Sequence, residues 1–299
     1  MLIIESPQEM QALCAQWKCQ GNTIGFVPTM GALHEGHLEL CRRARQEHSK
    51  FVASIFVNPL QFGPNEDLQK YPRPFERDCD LLRQSGCDAL FAPPLDAMYG
   101  TGITNGHAAQ GVPHTFVEVA VLGEVWEGVT RPGHMRGVAT VVAKLFNIVG
   151  PTAAYFGEKD YQQLKIIEQM VRDLDFPLEV APVSTVRESD GLALSSRNAY
   201  LNEAERQAAP ALYRALCKGR ELAQNGERDV TILGCAMQEI CDAEPLISVQ
   251  YITVVDPQTL APLHTLEGPA RVLIAARVGN IRLIDNIEVG RQEADSGRQ

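Results

Sequence analysis

Short apolar runs alternate with longer amphipathic stretches through the first 185 residues of the chain. The short runs are rich in β-branched and aromatic residues, as strands are, and the longer stretches space their apolar positions as helices do. This alternation is typical of βαβ units, whose parallel strands form a buried sheet. It predicts strands at 23–29, 51–57, 88–93, 153–157 and 178–183, with helices near 5–18, 35–48, 76–85, 134–149 and 160–173.

The pattern changes after Asn202, where two helical stretches at 202–224 and 229–242 precede three β-rich runs. Short connections join these runs, ISVQYITVVD, ARVLIAARV and NIRLIDNIEV, which favours an antiparallel sheet. We therefore predict an α/β fold, in which a Rossmann-like parallel-sheet domain occupies residues 1–185. A smaller α+β domain is predicted for residues 186–299.

Composition places the chain among soluble globular proteins. Hydrophobic residues make up 45% and charged residues 21% of its 299 positions, and no apolar run approaches the roughly 18 residues that a membrane helix needs. The start MLIIESPQEMQ contains Glu5 and lacks the basic region of a signal peptide. No membrane partner and a cytoplasmic location are expected.

Cysteine usage and net charge narrow the range of partners. The eight cysteines are scattered without a C-x-x-C pair, which argues against a zinc knuckle and a disulfide framework. A net charge of -10 repels polyphosphate backbones, and the local basic cluster CRRAR at 41–45 is typical of a solvated helix face. Nucleic acid is therefore not expected as a partner.

The stretch VPTMGALHEGHLEL at 27–40 combines a strand end, two glycines and two histidines. It is not a P-loop, because His37 and Leu38 stand where that motif needs Lys and Ser or Thr. It also lacks the H-E-x-x-H spacing and a nearby third ligand of a zinc site. A helix start attracts anions, and imidazoles at His34 and His37 would both face one there. The alternative is that one histidine caps the helix and the other is solvated.

Two further stretches offer cationic and hydroxyl groups. The sequence SSRN at 195–198 follows TVRESDGLAL and could bind phosphate oxygens, although a solvated loop is the alternative. Lys159 lies where a predicted strand ends and a helix begins, which is a ligand-binding location in parallel sheets. An ordinary surface lysine is the alternative for that residue.

Together, five segments of the chain resemble the pantothenate synthetase family, which joins pantoate to β-alanine. They are 27–40, FVNPLQFGPNEDLQKYPR at 56–73, RPGHMRGVATVVAKLFNIV at 131–149, FGEKDYQQL at 156–164 and VRESDGLALSSRNAYL at 186–201. That family shares an H-x-G-H signature and a second loop similar to K-M-S-K-S with other adenylate-forming and nucleotidyl-transferring enzymes. The resemblance extends over nearly the whole chain.

The resemblance implies a two-step ligation in the cytoplasm by a homodimer that associates through its N-terminal domain. ATP, with Mg²⁺ on its phosphates, would activate the pantoate carboxylate as pantoyl adenylate and release pyrophosphate. The β-alanine amine would then displace AMP. The catalytic residues carried over by resemblance are His34, His37, Lys159, Ser195, Ser196 and Arg197, with His37 as proton donor; no protein ligands of a metal are assigned.

The family match also assigns binding residues. ATP is expected at Met30, Gly31, Ala32, Leu33, His34, Glu35, Gly36, His37, Gly157, Glu158, Lys159, Asp160, Val186, Leu194, Ser195, Ser196 and Arg197. Adenine and ribose are expected against 28–30, Gly157, Asp160 and Val186, largely through backbone groups. Gln61 and Gln163 are expected to bind pantoate, with Gln61 also near β-alanine, and Arg131 and His134 match positions near β-alanine or the phosphates.

The chain departs from the family pattern at a few places. Leu194 stands where the family usually has Met, and Met135 replaces an aromatic residue; both keep an apolar side chain. The segment 100–128 is longer than usual and is expected to be a mobile surface excursion with solvated His107 and His114.

The segment 64–78, rich in proline and charge, is predicted to be a mobile gate over the site.

Rival functions remain at this stage. An H-x-G-H nucleotidyltransferase acting on a phosphate acceptor would need an acceptor site in place of Gln61 and Gln163. A tRNA synthetase fragment is disfavoured by the acidic balance. A non-catalytic nucleotide sensor would be free to lose either histidine or Lys159, and the chain retains all three.

Overall fold

The computed structural model of the chain describes residues 1–63, 66, 68–104, 107–110 and 113–290, with the backbone alone at 101–104 and 107–110. Within these residues the chain forms two compact units. The first contains the described residues of Met1–Glu158 together with Gln162–Ser184. The second joins Lys159–Tyr161 to the described residues from Thr185 onward. The segment Lys159–Tyr161, expected in the first domain, thus packs with the second unit.

The helices and strands follow the predicted alternation closely. The helices are α1 Pro7–Cys19, α2 Glu35–Glu47, α3 Phe75–Gln84, α4 Leu95–Tyr99, α5 Ala120–Gly123, α6 Glu127–Thr130, α7 His134–Val149, α8 Tyr161–Asp173, α9 Glu203–Ala208, α10 Ala211–Gln224 and α11 Val230–Asp242. The strands are β1 Leu2–Ile4, β2 Ile24–Thr29, β3 Lys50–Ile55, β4 Ala89–Phe91, β5 Thr101–Thr104, β6 His107–Gln110, β7 Ala153–Gly157, β8 Glu179–Val183, β9 Ile247–Val255, β10 Ala270–Val278 and β11 Ile281–Val289.

The first unit is built on a parallel sheet, as predicted. Among the described residues this sheet has six strands in the order β1-β4-β3-β2-β7-β8, and its neighbouring strands run parallel. Buried Phe26, Phe51 and Tyr155 form part of its core. β2 has β3 on one side and β7 on the other. The strand order therefore reverses at β2: β3 and β4 are added on one side of it and β7 and β8 on the other. The carboxyl end of β2 is therefore the expected ligand position.

The second unit contains the predicted antiparallel sheet. Its strands follow the order β11-β10-β9, and α10 and α11 pack against them around a core that includes Leu216, Met237 and Val272. The single helical stretch predicted at 202–224 was wrong, because Pro210 separates α9 from α10. Proline has no N–H for the helical hydrogen bond, and its ring crowds the preceding turn.

The long segment before α7 contains more structure than the sequence predicted. Its described backbone forms an antiparallel hairpin of β5 and β6, followed by the short helices α5 and α6. The side chain of His107 and residues 105–106 and 111–112 lie outside the described part of the chain, while His114 is exposed. Across the described ranges, none of the helices combines the length and apolar character that a membrane span requires.

Candidate active site

The turn between β2 and α2 carries the two predicted histidines. Thr29 stabilises the start of the turn. Its hydroxyl donates to the Ser54 carbonyl at 2.7 Å and accepts from the Gly31 N–H at 3.1 Å. Gly31 has a φ of +83°, where a side chain would be strained, and Ala32 has a φ of +51°. This conformation costs an alanine about 1 kcal/mol, so the surroundings must stabilise it.

A buried carboxylate supplies that stabilisation. Asp78, on α3, accepts the Ala32 N–H at 2.7 Å through Oδ2 and the Leu33 N–H at 2.9 Å through Oδ1. Burial raises the pKa of Asp78, while these two backbone hydrogen bonds oppose the rise. A Cβ on Gly31 would approach Asp78 Oδ2 to 3.0 Å, so glycine leaves room for the carboxylate. Asp78 therefore fixes the turn that leads into α2.

His34 and His37 form a reciprocal cap at the start of α2. The Gly36 N–H donates to His34 Nδ1 at 3.2 Å, and the His34 N–H donates to His37 Nδ1 at 3.3 Å. Because each Nδ1 accepts a hydrogen bond, each neutral ring carries its proton on Nε2. The ring centroids are 4.1 Å apart. Both histidines therefore cap the helix through Nδ1, and anion binding through Nε2–H is compatible with this geometry.

The other predicted ATP residues of this turn differ in exposure. Gly31, Ala32 and Leu33 are buried, whereas Met30 and Gly36 are half-buried. Glu35 is exposed, and its carboxylate forms an ion pair with Arg42 on the next turns of α2.

Gln61, Arg131 and His134 lie together in the first unit. The Gln61 carbonyl accepts from Arg131 Nη2 at 3.2 Å and from His134 Nδ1 at 2.8 Å. Arg131 Nη1 lies 2.9 Å from His134 Nε2, so His134 donates through Nδ1 and accepts through Nε2. Burial, reinforced by the Arg131 charge, lowers the pKa of His134 to about 4. This histidine therefore stays neutral at neutral pH and holds Arg131 next to Gln61.

The Gln61 amide is oriented by two residues that the sequence analysis missed. Asn58 Nδ2 donates to Gln61 Oε1 at 2.9 Å and to the Gly137 carbonyl at 3.0 Å. The Tyr99 hydroxyl donates to Asn58 Oδ1 at 2.8 Å, which fixes the orientation of the Asn58 amide. Because Oε1 of Gln61 already accepts a hydrogen bond, Nε2 is the group it offers to a ligand. An acceptor such as a carboxylate or hydroxyl oxygen suits that group.

The predicted gate is tied down at several of its described residues. Glu66 receives Arg131 Nε at 2.8 Å and Nη2 at 2.6 Å, which is a bidentate pair. Burial raises the pKa of Glu66, but the Arg131 hydrogen bond and charge outweigh it, so the net pKa is lowered. Tyr71 and Asp78 are buried. Positions 64, 65 and 67 lie outside the described residues, and gating stays a prediction.

Gln163 and its neighbour Gln162 occupy different surroundings on α8. Gln163 is half-buried in the first unit. Gln162 is buried and binds the backbone of the segment before α6. Its Nε2 donates to the Leu122 and Val125 carbonyls at 2.7 and 2.9 Å. Its Oε1 accepts the Glu127 N–H at 3.0 Å. The structure thus gives Gln162 a structural role.

In the second unit, Lys159 lies in a short 3₁₀ helix, Glu158–Asp160, that follows β7. Its Nζ lies 3.3 Å from Asp160 Oδ1, and its side chain is 20% exposed. Its carbonyl accepts from Asn286 Nδ2 at 2.8 Å. The backbone of this residue is therefore fixed while its ammonium group remains within reach of solvent.

The loop at Val186–Asn198 contains the predicted hydroxyl and guanidinium groups. The Leu194 N–H donates to the Val186 carbonyl at 3.0 Å, which pairs the start of the loop with the residue before Ser195. Ser195 caps the 3₁₀ helix Ser196–Tyr200, and its Oγ accepts the Arg197 N–H at 3.2 Å. Ser195, Ser196 and Arg197 thus follow one another at the start of a short helix. Anion binding at this short helix start stays a prediction.

Arginines anchor this loop from within the second unit. Arg187 forms a bidentate pair with Asp285 at 2.6 and 2.9 Å and donates to the Gly191 carbonyl at 3.1 Å. Gly191 has a φ of +91°, and a Cβ there would lie 2.2 Å from the Tyr213 ring. Arg206 pairs with Asp190 and Glu188, at 2.6 Å each. None of these anchors was identified from the sequence.

The described residues contain no group of three or more His, Cys, Asp or Glu side chains arranged to hold a metal ion. The eight cysteines, all among the described residues, are free thiols.

Fold and site together define a class: an α/β enzyme in which an H-x-G-H turn lies at the carboxyl end of a central parallel strand. The sequence model of the pantoate-beta-alanine ligase family matches residues 2–288. A pantothenate synthetase from Rubrobacter xylanophilus is 56% identical over 285 residues, covering 95% of this chain and 97% of that protein. The chain therefore belongs to the pantoate-beta-alanine ligase family, and the predicted resemblance is confirmed.

Solved structures agree with this assignment. The crystal structure of pantothenate synthetase from Thermus thermophilus has a TM-score of 0.89 and 49% identity, over 97% of this chain and 100% of that one. A pantoate-beta-alanine ligase from Francisella tularensis, complexed with beta-gamma ATP and beta-alanine, has a TM-score of 0.77 and 32% identity, over 96% of this chain and 97% of that one. The predicted fold and enzyme class, a ligase, are confirmed.

Proposed function

We propose that this ligase forms pantothenate through pantoyl adenylate, with the residues predicted from its sequence in the assigned roles. In the first step a pantoate carboxylate oxygen attacks the α-phosphorus of ATP, which arrives as its Mg²⁺ complex, and pyrophosphate leaves. In the second step the β-alanine amine attacks the acyl carbon, AMP leaves, and the amine loses a proton. Pantothenate, AMP and pyrophosphate are the products.

The first step brings two anionic groups together, so its main requirement is positive charge and N–H donors held in place. The observation that carries the proposal is the reciprocal cap at the start of α2. Since Nδ1 of His34 and His37 is used by the backbone, both rings are fixed with Nε2–H as donor. We assign His37 as the donor to the phosphate oxygens and His34 as its neighbour in the same role.

The remaining ATP contacts are assigned by segment. Lys159 neutralises phosphate charge in the second unit, and Ser195, Ser196 and Arg197 donate to phosphate oxygens from the start of their 3₁₀ helix. Backbone groups of 28–30, Gly157, Asp160 and Val186 contact adenine and ribose. Gly31, Ala32, Leu33, Glu158 and Leu194 are assigned to ATP without a more specific role. The 1–185 domain would thus bind ATP and pantoate, and the 186–299 domain would carry the Ser-Ser-Arg loop.

Pantoate is assigned to Gln61 and Gln163. The Gln61 amide offers Nε2 because Asn58 occupies Oε1, which matches a carboxylate or hydroxyl oxygen of the acid substrate. Arg131 and His134 shape the neighbouring end, where β-alanine is expected, by holding the Gln61 carbonyl and Glu66. Calorimetry on Gln163→Ala should show pantoate binding weakened by about 1 to 3 kcal/mol, and an unchanged affinity would contradict the assignment.

Location and assembly complete the proposal. The free thiols suit a reducing cytoplasm. A homodimer is expected from the family resemblance, and mass measurement in solution tests it.

Incubation with Mg²⁺, ATP, pantoate and β-alanine tests the function directly. Equal amounts of pantothenate, AMP and pyrophosphate are expected, with none formed when pantoate is omitted. Release of ADP and phosphate, or nucleotidyl transfer to a phosphate acceptor without use of β-alanine, would contradict the proposal.

A further inference from the structure

Two consecutive polar residues, Asp285 and Asn286, are buried in the middle of β11. Their relative exposures are 5% and 3%, in a strand that otherwise contributes apolar residues to the core of the second unit. Buried polar groups are unfavourable unless they are hydrogen-bonded. Each of these side chains contacts a different segment that carries predicted ATP-binding residues.

Asn286 holds the Lys159 segment. Its Nδ2 donates to the Lys159 carbonyl at 2.8 Å, and its Oδ1 accepts from Arg271 Nε at 2.7 Å. The Arg271 guanidinium lies 4.2 Å from the centroid of the Tyr161 ring, whose hydroxyl donates to the Pro257 carbonyl at 2.9 Å. The segment is thus fixed at the backbone of Lys159 and at the side chain two residues later.

Asp285 holds the Ser-Ser-Arg loop. Its carboxylate forms the bidentate pair with Arg187, and the Arg187 guanidinium also lies 4.0 Å from the centroid of the Tyr213 ring. Arg187 directly follows Val186, whose carbonyl accepts the Leu194 N–H just before Ser195. The position of Asp285 is therefore transmitted to Ser195 through one arginine and one pair of backbone residues.

Asp285 and Arg187 also form hydrogen bonds with the main chain of Asn286 at the edge of the sheet. Within the described sheet, β11 is an edge strand, and the main-chain groups of Asn286 that face outward would otherwise lack strand partners. The Asn286 N–H donates to Asp285 Oδ1 at 2.7 Å, and its carbonyl accepts from Arg187 Nη2 at 3.3 Å. Asp285 and Asn286 thus fix both segments, and the outward main-chain groups of Asn286 have hydrogen-bond partners.

We propose that Asp285 and Asn286 are positioning residues for adenylation, which hold Lys159 and the Ser-Ser-Arg loop in one fixed mutual geometry. This inference rests on the proposed function, because it concerns how those two groups meet the ATP phosphates. Displacement of a catalytic group by about 1 Å can cost on the order of 100-fold in rate. Anchoring both groups to adjacent residues of one strand limits such displacement.

The isosteric variant Asn286→Asp gives a selective test. A carboxylate still accepts from Arg271 but cannot donate to the Lys159 carbonyl. Pantoate-dependent exchange of labelled pyrophosphate into ATP should fall by about 10- to 100-fold. The double variant with Lys159→Ala should be no slower than Lys159→Ala alone, because Asn286 acts through Lys159.

A matched control comes from the same strand. Arg282 donates through Nε to Gln250 at 2.7 Å on the exposed side of the sheet, so Arg282→Ala also removes a side-chain hydrogen bond from β11. Its exchange rate should remain within about twofold of wild type, as is usual for surface changes. Full activity in Asn286→Asp, or losses that multiply with those of Lys159→Ala, would overturn the inference.

A readout independent of pantoate separates this inference from the proposed function. ATP should protect the Lys159 amine from acylation by an N-hydroxysuccinimide ester, measured by mass spectrometry. In Asn286→Asp the ATP concentration for half protection should rise about tenfold; equal protection in both proteins would contradict the positioning role. Wild-type protection without exchange would count against the proposed function, whereas the difference in protection between wild type and Asn286→Asp tests the positioning of Lys159 toward ATP.

A second cycle covers the case in which Asn286→Asp melts far below wild type. Asp285→Asn breaks the bidentate pair, and its loss of exchange should not add to that of Arg197→Ala. Additive losses in this cycle would overturn the inference for the Ser-Ser-Arg loop.

Discussion

The turn at 29–37 and the loop at 186–198 each lead into a helix, yet they are fixed by opposite charges. In the turn, the buried carboxylate of Asp78 accepts two backbone N–H groups. In the loop, the guanidinium of Arg187 donates to a carboxylate and to backbone carbonyls. The carboxylate of Asp78 thus occupies two backbone N–H donors of the turn, so we expect anion binding there to depend on the histidine rings. The guanidinium of Arg187 instead occupies a carboxylate and backbone carbonyl acceptors.

The surroundings of the two anchors differ as well. Asp78 is 1% exposed, and burial is the main influence on its pKa. The outer carboxylates of the loop, Asp190 and Glu188, are 40% and 35% exposed and pair with Arg206 near solvent. We therefore expect the turn to be sensitive to changes of shape and charge in its core, and the loop to be sensitive to salt at its periphery.

Removing either histidine should have the largest effect. His34→Ala and His37→Ala should each keep the fold and slow adenylation by about 100- to 1000-fold, because one fixed donor is lost where charge develops. Steady-state kinetics and circular dichroism measure both properties. Wild-type turnover in a folded variant would show that the turn does not contact the phosphates.

The carboxylate anchor can be tested with Asp78→Asn. The amide places an NH₂ group against the N–H of Ala32 or Leu33, so the free energy of unfolding should fall by about 1 to 3 kcal/mol. Urea unfolding measures this change. The control Asp80→Asn, on the same helix, removes an exposed pair with Arg83 and should cost less than about 1 kcal/mol. Equal losses in the two variants would mean that Asp78 does not anchor the turn.

The periphery of the loop should contribute less. Arg206→Ala breaks two exposed pairs and should lower the free energy of unfolding by less than about 1 kcal/mol. This loss should shrink further in high salt, whereas the loss from Asp78→Asn should not, since buried contacts are screened less. Unfolding curves at low and high salt measure both losses. A salt-independent loss in Arg206→Ala would contradict the expected difference between the loop and the turn.

The smallest effect is a difference in acid titration. Burial raises the pKa of Asp78 in the folded state above that in the unfolded state. The ionised carboxylate therefore lowers the free energy of unfolding at higher pH, and this loss is relieved as pH falls through the raised pKa. The Arg206 hydrogen bond lowers the pKa of Asp190, so its contribution is present above the usual aspartate pKa and is lost as pH falls through the lowered one. Carboxyl-carbon NMR should show Asp78 titrating above Asp190; the reverse order would refute this contrast.

Much of the fold was predictable from local patterns, because strand and helix periods are visible over five to fifteen residues. The missed elements have physical reasons: β1 spans three residues, and Pro210 interrupts a stretch whose apolar spacing continues across it. The hairpin of β5 and β6 is short and glycine-flanked. None of these carries a periodic signal long enough to distinguish it from a loop.

The sequence predicted only the contiguous motifs of the candidate site and not the residues that fix them. H-x-G-H and Ser-Ser-Arg are contiguous in the sequence, whereas Asp78 is 45 or 46 positions from the backbone it binds, and Arg187 is 98 from Asp285. One signal was present: Asp285 and Asn286 are consecutive polar residues in the middle of a β-rich run, and such residues need partners where they are buried. The identity of those partners depends on tertiary contacts.

The most direct test of the account is pyrophosphate exchange in the absence of β-alanine. If the histidine turn and the Ser-Ser-Arg loop stabilise charge while pantoyl adenylate forms, the protein with Mg²⁺, ATP and pantoate alone should exchange labelled pyrophosphate into ATP. Lys159→Ala should suppress exchange and overall turnover together, and added β-alanine should divert the intermediate to AMP and pantothenate. Exchange that required β-alanine, or that ran equally well without pantoate, would contradict the account.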